Sequence, residues 1–321
     1  MRIVVFGDQR RVGAWDGDLV IDLNRADSAL PSDLAAFIAA GPKAIDAART
    51  AIERTARGAA GDGVVQTRDR VRLHAPAVHR PRIACAAGNY AEHTLGSARR
   101  KGLESSSALS NLGITYLTTM SAEEVTRKTR ETDRPRGFWK DFAIAKGPED
   151  EIPYPSRAEQ FDYEGEVAAV IGKTARDVSK GTGGEYVWGI TLLNDWSIRG
   201  QNVKDSLSFN LGKNFDGGAS VGPCILVGGD PAGITVETRV NGELRQHYDS
   251  GDMIFSHAEF LEYLSRDFTF LPGDMIAGGS GPGSATDSAK EGKDLWLKVG
   301  DVVEVSSPAI GTLRNRIVSK Q

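Results

Sequence analysis

Cysteine is scarce: the chain of 321 residues has only Cys85 and Cys224, with no C-x-x-C spacing. That excludes a disulfide-stapled scaffold and a thiolate zinc or redox site, and it fits a reducing compartment. Long apolar runs are missing too. No segment approaches the ~18 consecutive apolar residues of a membrane helix. The apolar stretch Ile3-Val4-Val5-Phe6 ends before Asp8, too short for a secretory leader. Charge of one sign is also lacking, since 39 Lys+Arg stand against 43 Asp+Glu for a net charge of −4. A general nucleic-acid binder needs a basic surplus, so that class is excluded. The five histidines form no metal-pair spacing, the nearest pairs being His74/His79 and His247/His257. There is no assignable Ser/His/Asp triad, dinucleotide fingerprint or phosphate P-loop. The expectation is a soluble cytoplasmic protein that binds neither nucleic acid nor membrane.

What is present is an ordinary globular balance, 40% hydrophobic and 26% charged, which argues against a disordered chain. The length is about twice the ~150-residue prior for one domain. Residues 1–76 read as a small N-terminal α+β module. Ile3–Phe6 and Leu19–Leu23 are predicted strands on either side of the turn-forming Asp16-Gly17-Asp18. Ser32 is the expected N-cap of a helix carrying Leu34, Phe37 and Ile38 and ending near Gly41-Pro42, and a second helix is expected from Ala44 to Arg57.

Residues 77–321 are mostly predicted strands: 82–88, 164–171, 187–194, 224–227, 235–240, 243–246, 295–297, 302–305 and 311–313. Asn241-Gly242 is a strong hairpin turn, and Ser256 with Glu259 is a capping box opening a helix. No regular βαβ alternation occurs, so the fold class is α+β and β-rich, not a doubly wound parallel sheet. Residues 97–137 stand apart as a polar insertion. Ser105-Ser106-Ser107 lies within it, and Ser121 with Glu124 caps a helix to about Thr132. It reads as a surface insertion or as a lid over a site.

The densest acidic feature is Asp162-Tyr163-Glu164-Gly165-Glu166. Residues two apart on a strand share a face, so Glu164 and Glu166 project two carboxylates together. Alone, this pair is a weak signal and reads first as a solvated strand face. Context strengthens it, because the apolar run Ile190–Asn194 ends in Asp195 and Arg199 follows four positions later. Two Glu and one Asp make an all-oxygen set that suits Mg2+, Mn2+ or Ca2+ rather than zinc. Lys213 lies in a glycine-rich stretch as a turn lysine or as a donor to a substrate oxygen. Gly278-Gly279-Ser280-Gly281-Pro282-Gly283 is a second glycine-rich loop, whose amides and Ser280 suit a carboxylate.

Taken together, these segments resemble the fumarylacetoacetate hydrolase family. The likeness rests on Asp162–Glu166 with Val170-Ile171-Gly172-Lys173, on Tyr186–Gly189, and on Asn194-Asp195-Trp196-Ser197-Ile198-Arg199. It continues through Gly212-Lys213-Asn214-Phe215-Asp216, Val221-Gly222-Pro223, Met253–Ser256, Leu271-Pro272-Gly273-Asp274 and Gly311–Asn315. Order and spacing hold from about residue 82 to 318, apart from the 97–137 insertion. The resemblance implies a mixed β-sheet roll around the site, commonly as a homodimer. It implies that Glu164, Glu166 and Asp195 bind the metal, usually Mg2+ or Mn2+. Lys213 and His93 would be catalytic, and Arg199, Gln246 and Ser280 would bind a small carboxylate substrate.

For activity, the resemblance implies metal-dependent hydrolysis of a C–C bond in an acylpyruvate-like diketo acid, as in the catabolism of aromatic compounds. One position departs. Hydrolytic members follow the lid histidine with a Glu three residues on, whereas His93 is followed by Gly96. An imidazole base needs a carboxylate to fix its tautomer. Either a residue of the insertion, such as Glu104, Glu123 or Glu124, replaces that acid, or the reaction is another. The alternatives are a decarboxylase, tautomerase, hydratase or lyase of a small keto acid or ureidoglycolate-like substrate. A non-catalytic metal-binding homologue is a further alternative.

Overall fold

Two kinds of strand build the protein, and their apolar patterns differ. Thr235–Val240 and Val302–Ser307 bury alternate residues, Val236, Thr238 and Val240 in one and Val303, Val305 and Ser307 in the other. Such half-buried strands suit a sheet with one covered face. They lie in a five-stranded sheet ordered Glu151–Pro153, Gly311–Val318, Val302–Ser307, Thr235–Val240, Glu243–Asp249. By contrast, Gly165–Ile171 is buried throughout and Val187–Asp195 nearly so. Both occupy the middle of an 11-stranded sheet, covered on both faces. The computed structural model describes all residues except 59–60, 101–104, 107–115, 118, 142, 201–207, 289–293 and 321.

The larger sheet runs Val65–Thr67, Leu19–Asp22, Arg11–Asp16, Arg2–Phe6, Ala219–Val227, Val187–Asp195, Gly165–Ile171, Met275–Ala277, Ile83–Ala86, Gly137–Lys140, with Leu73–His74 paired beside Arg2–Phe6. Pairing is mixed. Most neighbours are antiparallel, but Met275–Ala277 runs parallel to Ile83–Ala86 and Glu151–Pro153 parallel to Gly311–Val318. This is the β-rich α+β architecture expected. Arg2 and Ile3 pair with Leu226 and Ile225, so the first strand continues the sheet of the later residues.

The helices Leu34–Ala39 and Gly41–Ala56 cover that end, placing Phe37, Ile38, Ala44, Ala48 and Ala51 in one cluster with Ile3, Trp188 and Leu193. The Phe37 ring meets Trp188 edge-on at 6.1 Å. Phe37→Ala is therefore expected to cost about 3–5 kcal/mol by cavity formation. Calorimetry checks this, and the expected loss falls on one transition because the cluster joins both ends of the chain.

Several elements differ from their sequence expectation. Arg11–Asp16 is a strand, forming the hairpin at Asp16-Gly17-Asp18 with Leu19–Asp22. Gly13 hid its pattern, and glycine is needed there because a Cβ would lie 2.7 Å from the Phe6 ring. Asp33 rather than Ser32 caps the Leu34–Ala39 helix, its side chain accepting from Ala36 N–H at 2.9 Å. Gly41 turns the chain at φ 65° and Pro42 opens the next helix instead of ending the previous one. Residues 295–297 form no ladder; Leu297 N–H bonds Phe161 C=O at 2.9 Å. The capping boxes at Ser121/Glu124 and Ser256/Glu259 are both made, and Asn241-Gly242 turns with φ 51° and 83°. No helix among the described residues is long and apolar enough to cross a membrane.

Candidate active site

Strand register brings the acids together. Gly165 lies opposite Asn194 in the antiparallel pair, and Asp195 N–H bonds Glu164 C=O at 2.9 Å. The start of one strand and the end of its neighbour thus meet at one end of the central strands. The Asn194 amide oxygen accepts Glu164 N–H at 3.0 Å and fixes the backbone just before the strand begins at Gly165. Glu164, Glu166 and Asp195 are all buried, and each offers an oxygen within 4.8 Å of the others.

Three carboxylates this close repel one another unless a cation lies among them. Glu166 feels this most. Burial first, then Asp195 and Glu164, push its carboxyl well above the usual range, against a bond from Gly279 N–H at 3.1 Å. The carboxylate received by the second glycine-rich loop is thus one of the site's own. Glu164 goes the other way. Burial would raise it, but Lys213 and Arg199 together outweigh that and hold it far below the carboxylate range. The hard oxygen donors and the uncompensated charge at Glu166 fit a divalent cation such as Mg2+ or Mn2+.

Lys213, ending the Ser208–Lys213 helix, sends its Nζ to Glu164, to Asp195 Oδ2 at 2.7 Å and to Ser197 Oγ at 2.7 Å. Burial would lower its pKa, but Asp195 and Glu164 prevail and raise it, so it stays an ammonium. Arg199 donates to Glu164 and, from Nε, to Asp162 Oδ2 at 3.1 Å. Lys140 also belongs here, since its fully buried Nζ donates to Asp195 Oδ1. Sequence reasoning missed it. The only signal was a lysine closing the short segment Gly137–Lys140, next to the aromatic pair Phe138-Trp139.

Gln246 and Ser280 lie just behind the acids and bond each other, Nε2 to Oγ at 2.8 Å. Gln246 also accepts Gly165 N–H at 3.0 Å and donates to Gly281 C=O at 3.0 Å. In this structure both hold the glycine-rich loop to the strand that carries Glu166. Asp162 has a comparable task. Its carboxylate accepts Tyr163 N–H, Ala285 N–H, Thr286 N–H, Thr286 Oγ and Arg199 Nε, capping the short Ala285–Ser288 helix.

His93 rides on the Ala91–Arg100 helix and directs Nδ1 to Asp287 Oδ2 at 2.6 Å. Burial would lower its pKa, but Asp287 and then Glu164 raise it on balance. The carboxylate beside His93 therefore comes from outside residues 97–137. Glu124 is used in its own helix cap, and Glu104 lies outside the described residues. Part of the insertion is likewise undescribed, so the lid expectation falls largely outside the structure described.

Comparison with known proteins agrees with the geometry. A family model described as "Fumarylacetoacetate (FAA) hydrolase C-terminal" matches residues 82–318. Oxaloacetate tautomerase YisK of Bacillus subtilis (strain 168) is 31% identical over 317 residues, covering 94% of each chain. Among solved structures, the fumarylacetoacetate hydrolase of psychrophilic Exiguobacterium antarcticum superposes with a TM-score of 0.73 at 28% identity, covering 100% of both chains. Maleylpyruvate hydrolase from Sphingobium sp. SYK-6, solved with manganese(II) and pyruvate, shares the fold at a TM-score of 0.72 and 23% identity, again over 100% of both chains. Tautomerases and hydrolases thus share this architecture, and the chain belongs to the fumarylacetoacetate hydrolase family of enzymes.

Proposed function

We propose that the protein is a divalent-metal-dependent enzyme that forms and stabilises the enolate of a small 2-oxo carboxylic acid. Its reaction on this reading is keto–enol tautomerisation of an oxaloacetate-like dicarboxylate. The observation that carries it is Lys213, a buried ammonium held against Glu164 and Asp195 within an all-oxygen cluster. Glu164, Glu166 and Asp195 would hold Mg2+ or Mn2+, which supplies Lewis-acid stabilisation of developing negative charge.

The chain's own groups do the rest. Lys213 Nζ would turn one of the three protons it gives to Glu164, Asp195 and Ser197 toward the carbonyl oxygen on which charge builds. His93, anchored through Nδ1, leaves Nε2 to take the α-proton and to deliver it to the enolate oxygen. Arg199 holds Glu164 from the side away from Lys213, each using a different carboxylate oxygen. Tautomerisation needs no attacking water. Among the relatives that cover nearly the whole chain, the Bacillus subtilis protein is named an oxaloacetate tautomerase.

A second reading is hydrolysis of an acylpyruvate C–C bond, and one observation favours it. His93 does have a carboxylate partner, Asp287, and such a pair suits activation of water. On the family resemblance we also propose a cytoplasmic homodimer, the assembly to be measured by light scattering.

The test is an NMR product assay with Mg2+, using oxaloacetate, acetylpyruvate and fumarylpyruvate, with Glu164→Ala as control. The expected result is keto–enol relaxation of oxaloacetate faster than in the protein-free Mg2+ control, with no release of pyruvate above that control. Pyruvate released from an acylpyruvate selects the hydrolase reading. Inertness to the whole panel would overturn both.

A further inference from the structure

The departure at Gly96 removes the acid that would sit one helical turn from His93, yet the histidine is not left alone. Asp287 lies 194 positions away in sequence and its Oδ2 is 2.6 Å from His93 Nδ1. The same oxygen accepts Gly283 N–H at 3.0 Å, while Oδ1 is buried with no hydrogen-bond partner among the described residues. Asp162 shows what a purely structural carboxylate looks like here, with five donors shared over both oxygens. Asp287 instead spends one oxygen on the histidine and a single loop amide.

The position of Asp287 is imposed by its surroundings rather than by its own bonds. Asp162 caps the Ala285–Ser288 helix from below, accepting from Ala285 and Thr286. The loop leading in is held at Gly283, where φ is 103° and a Cβ would stand 2.0 Å from Arg245 C=O, so only glycine fits. Asp162 is itself tied to Arg199, and Arg199 to Glu164. A continuous chain of bonds therefore runs from the metal-fitting acids to the carboxylate that faces His93.

We infer that Asp287 is the positioning residue of His93, taking the place of the within-helix acid missing at Gly96. Its carboxylate accepts the Nδ1 proton, fixes that tautomer, and leaves Nε2 unprotonated and facing the reacting atoms. In the proposed reaction the α C–H bond breaks, its electron pair forms the C=C bond as the carbonyl π pair moves to oxygen, and the proton passes to Nε2, which then gives it to that oxygen to complete the enol; the reverse direction runs the same transfers backwards. Asp287 keeps its own charge throughout. A structural consequence follows. An acid in the same helix would travel with the histidine, whereas here the pair exists only while the Ala91–Arg100 helix rests against Ala285–Ser288, so docking of that helix and assembly of the base are one event. The reaction assigned to Nε2 rests on the enolate reading above, but the pair itself does not.

The test uses the Mg2+-loaded 321-residue protein labelled with 15N-histidine, which has five histidine rings, and His93→Gln identifies the signal of interest. Wild type is expected to show a slowly exchanging Nδ1–H at His93. Asp287→Ala should lose it, with the ring reverting to Nε2–H, and Asp287→Asn should keep an acceptor without the charge. In turnover, Asp287→Ala is expected to lower kcat about 100-fold, with KM within about threefold of wild type and Asp287→Asn falling between. The double variant His93→Ala/Asp287→Ala should be no slower than His93→Ala, because groups acting as a unit are not additive. An unchanged His93 ring signal in Asp287→Ala, or losses that multiply in the double variant, would overturn the inference. If no substrate is found, the ring signal still decides on the pair, and the failure then belongs to the proposed reaction alone.

Discussion

Asp195→Ala is expected to abolish turnover, cutting the rate by at least about 1000-fold, and to destabilise the metal-free protein by about 3–5 kcal/mol. Two separate losses converge on this residue. Asp195 is one of three oxygen donors in the cluster, and a site reduced to Glu164 and Glu166 binds a divalent ion poorly. It is also the shared partner of two buried lysines, Lys140 on Oδ1 and Lys213 on Oδ2. Removing it strands Lys140 in particular, whose side chain is fully buried and has, among the described residues, only the Trp196 carbonyl at 3.5 Å besides. Asp195→Asn separates the effects: it keeps the shape and one acceptor, so stability should fall less while Mn2+ affinity still drops. Calorimetric Mn2+ titration and urea unfolding read the two losses independently. Wild-type Mn2+ affinity in either variant would remove Asp195 from the metal site.

Much of this site was legible in the sequence, because its central parts are written locally. Glu164 and Glu166 are two apart at the start of a buried strand, Asp195 ends the next, and Lys213 follows in a glycine-rich turn. These local signals mark the positions, while reading them as a metal site with a substrate-facing lysine rests on the family resemblance. Asn241-Gly242 and the two capping boxes were readable for the same reason, since turn and cap chemistry act over a few residues. What stayed hidden depends on contacts between distant segments. Asp287 lies in a polar stretch of Ser, Ala and Thr that looks like any surface loop, and only the fold brings it to His93. Lys140 has the same history, being an ordinary strand-end lysine until Gly137–Lys140 pairs with Ile83–Ala86 and aims it at Asp195. Asp162 was visible in the motif, but its work of capping Ala285–Ser288 was not. The insertion at 97–137 invited a search for a replacement acid nearby in sequence, whereas the chain supplies one from the far side of the glycine-rich loop.

Lys213→Met offers the sharpest separation of chemistry from architecture, because its effects on binding and on rate should have opposite signs. The ammonium is held among Glu164, Asp195 and Ser197, so it competes electrostatically with any cation those carboxylates hold. Methionine matches the length and lies as well against Phe138, over whose ring Nζ sits at 5.0 Å. With the positive charge gone, Glu164 and Asp195 each lose a buried partner, and the metal-free protein becomes less stable. The same change leaves the acid cluster more negative, so Mn2+ affinity should be equal to or tighter than wild type. Stabilisation by metal, read as the rise in Tm at a fixed Mn2+ concentration, should accordingly be larger in the variant. Turnover should move the other way, with kcat falling about 100- to 1000-fold even at saturating metal, the cost of removing one oriented donor from a developing oxyanion. Were Lys213 only a counter-ion that keeps the acids together until metal arrives, the metal-loaded variant would retain wild-type kcat. Tighter metal with a collapsed rate is the combination that a donor to the enolate oxygen requires.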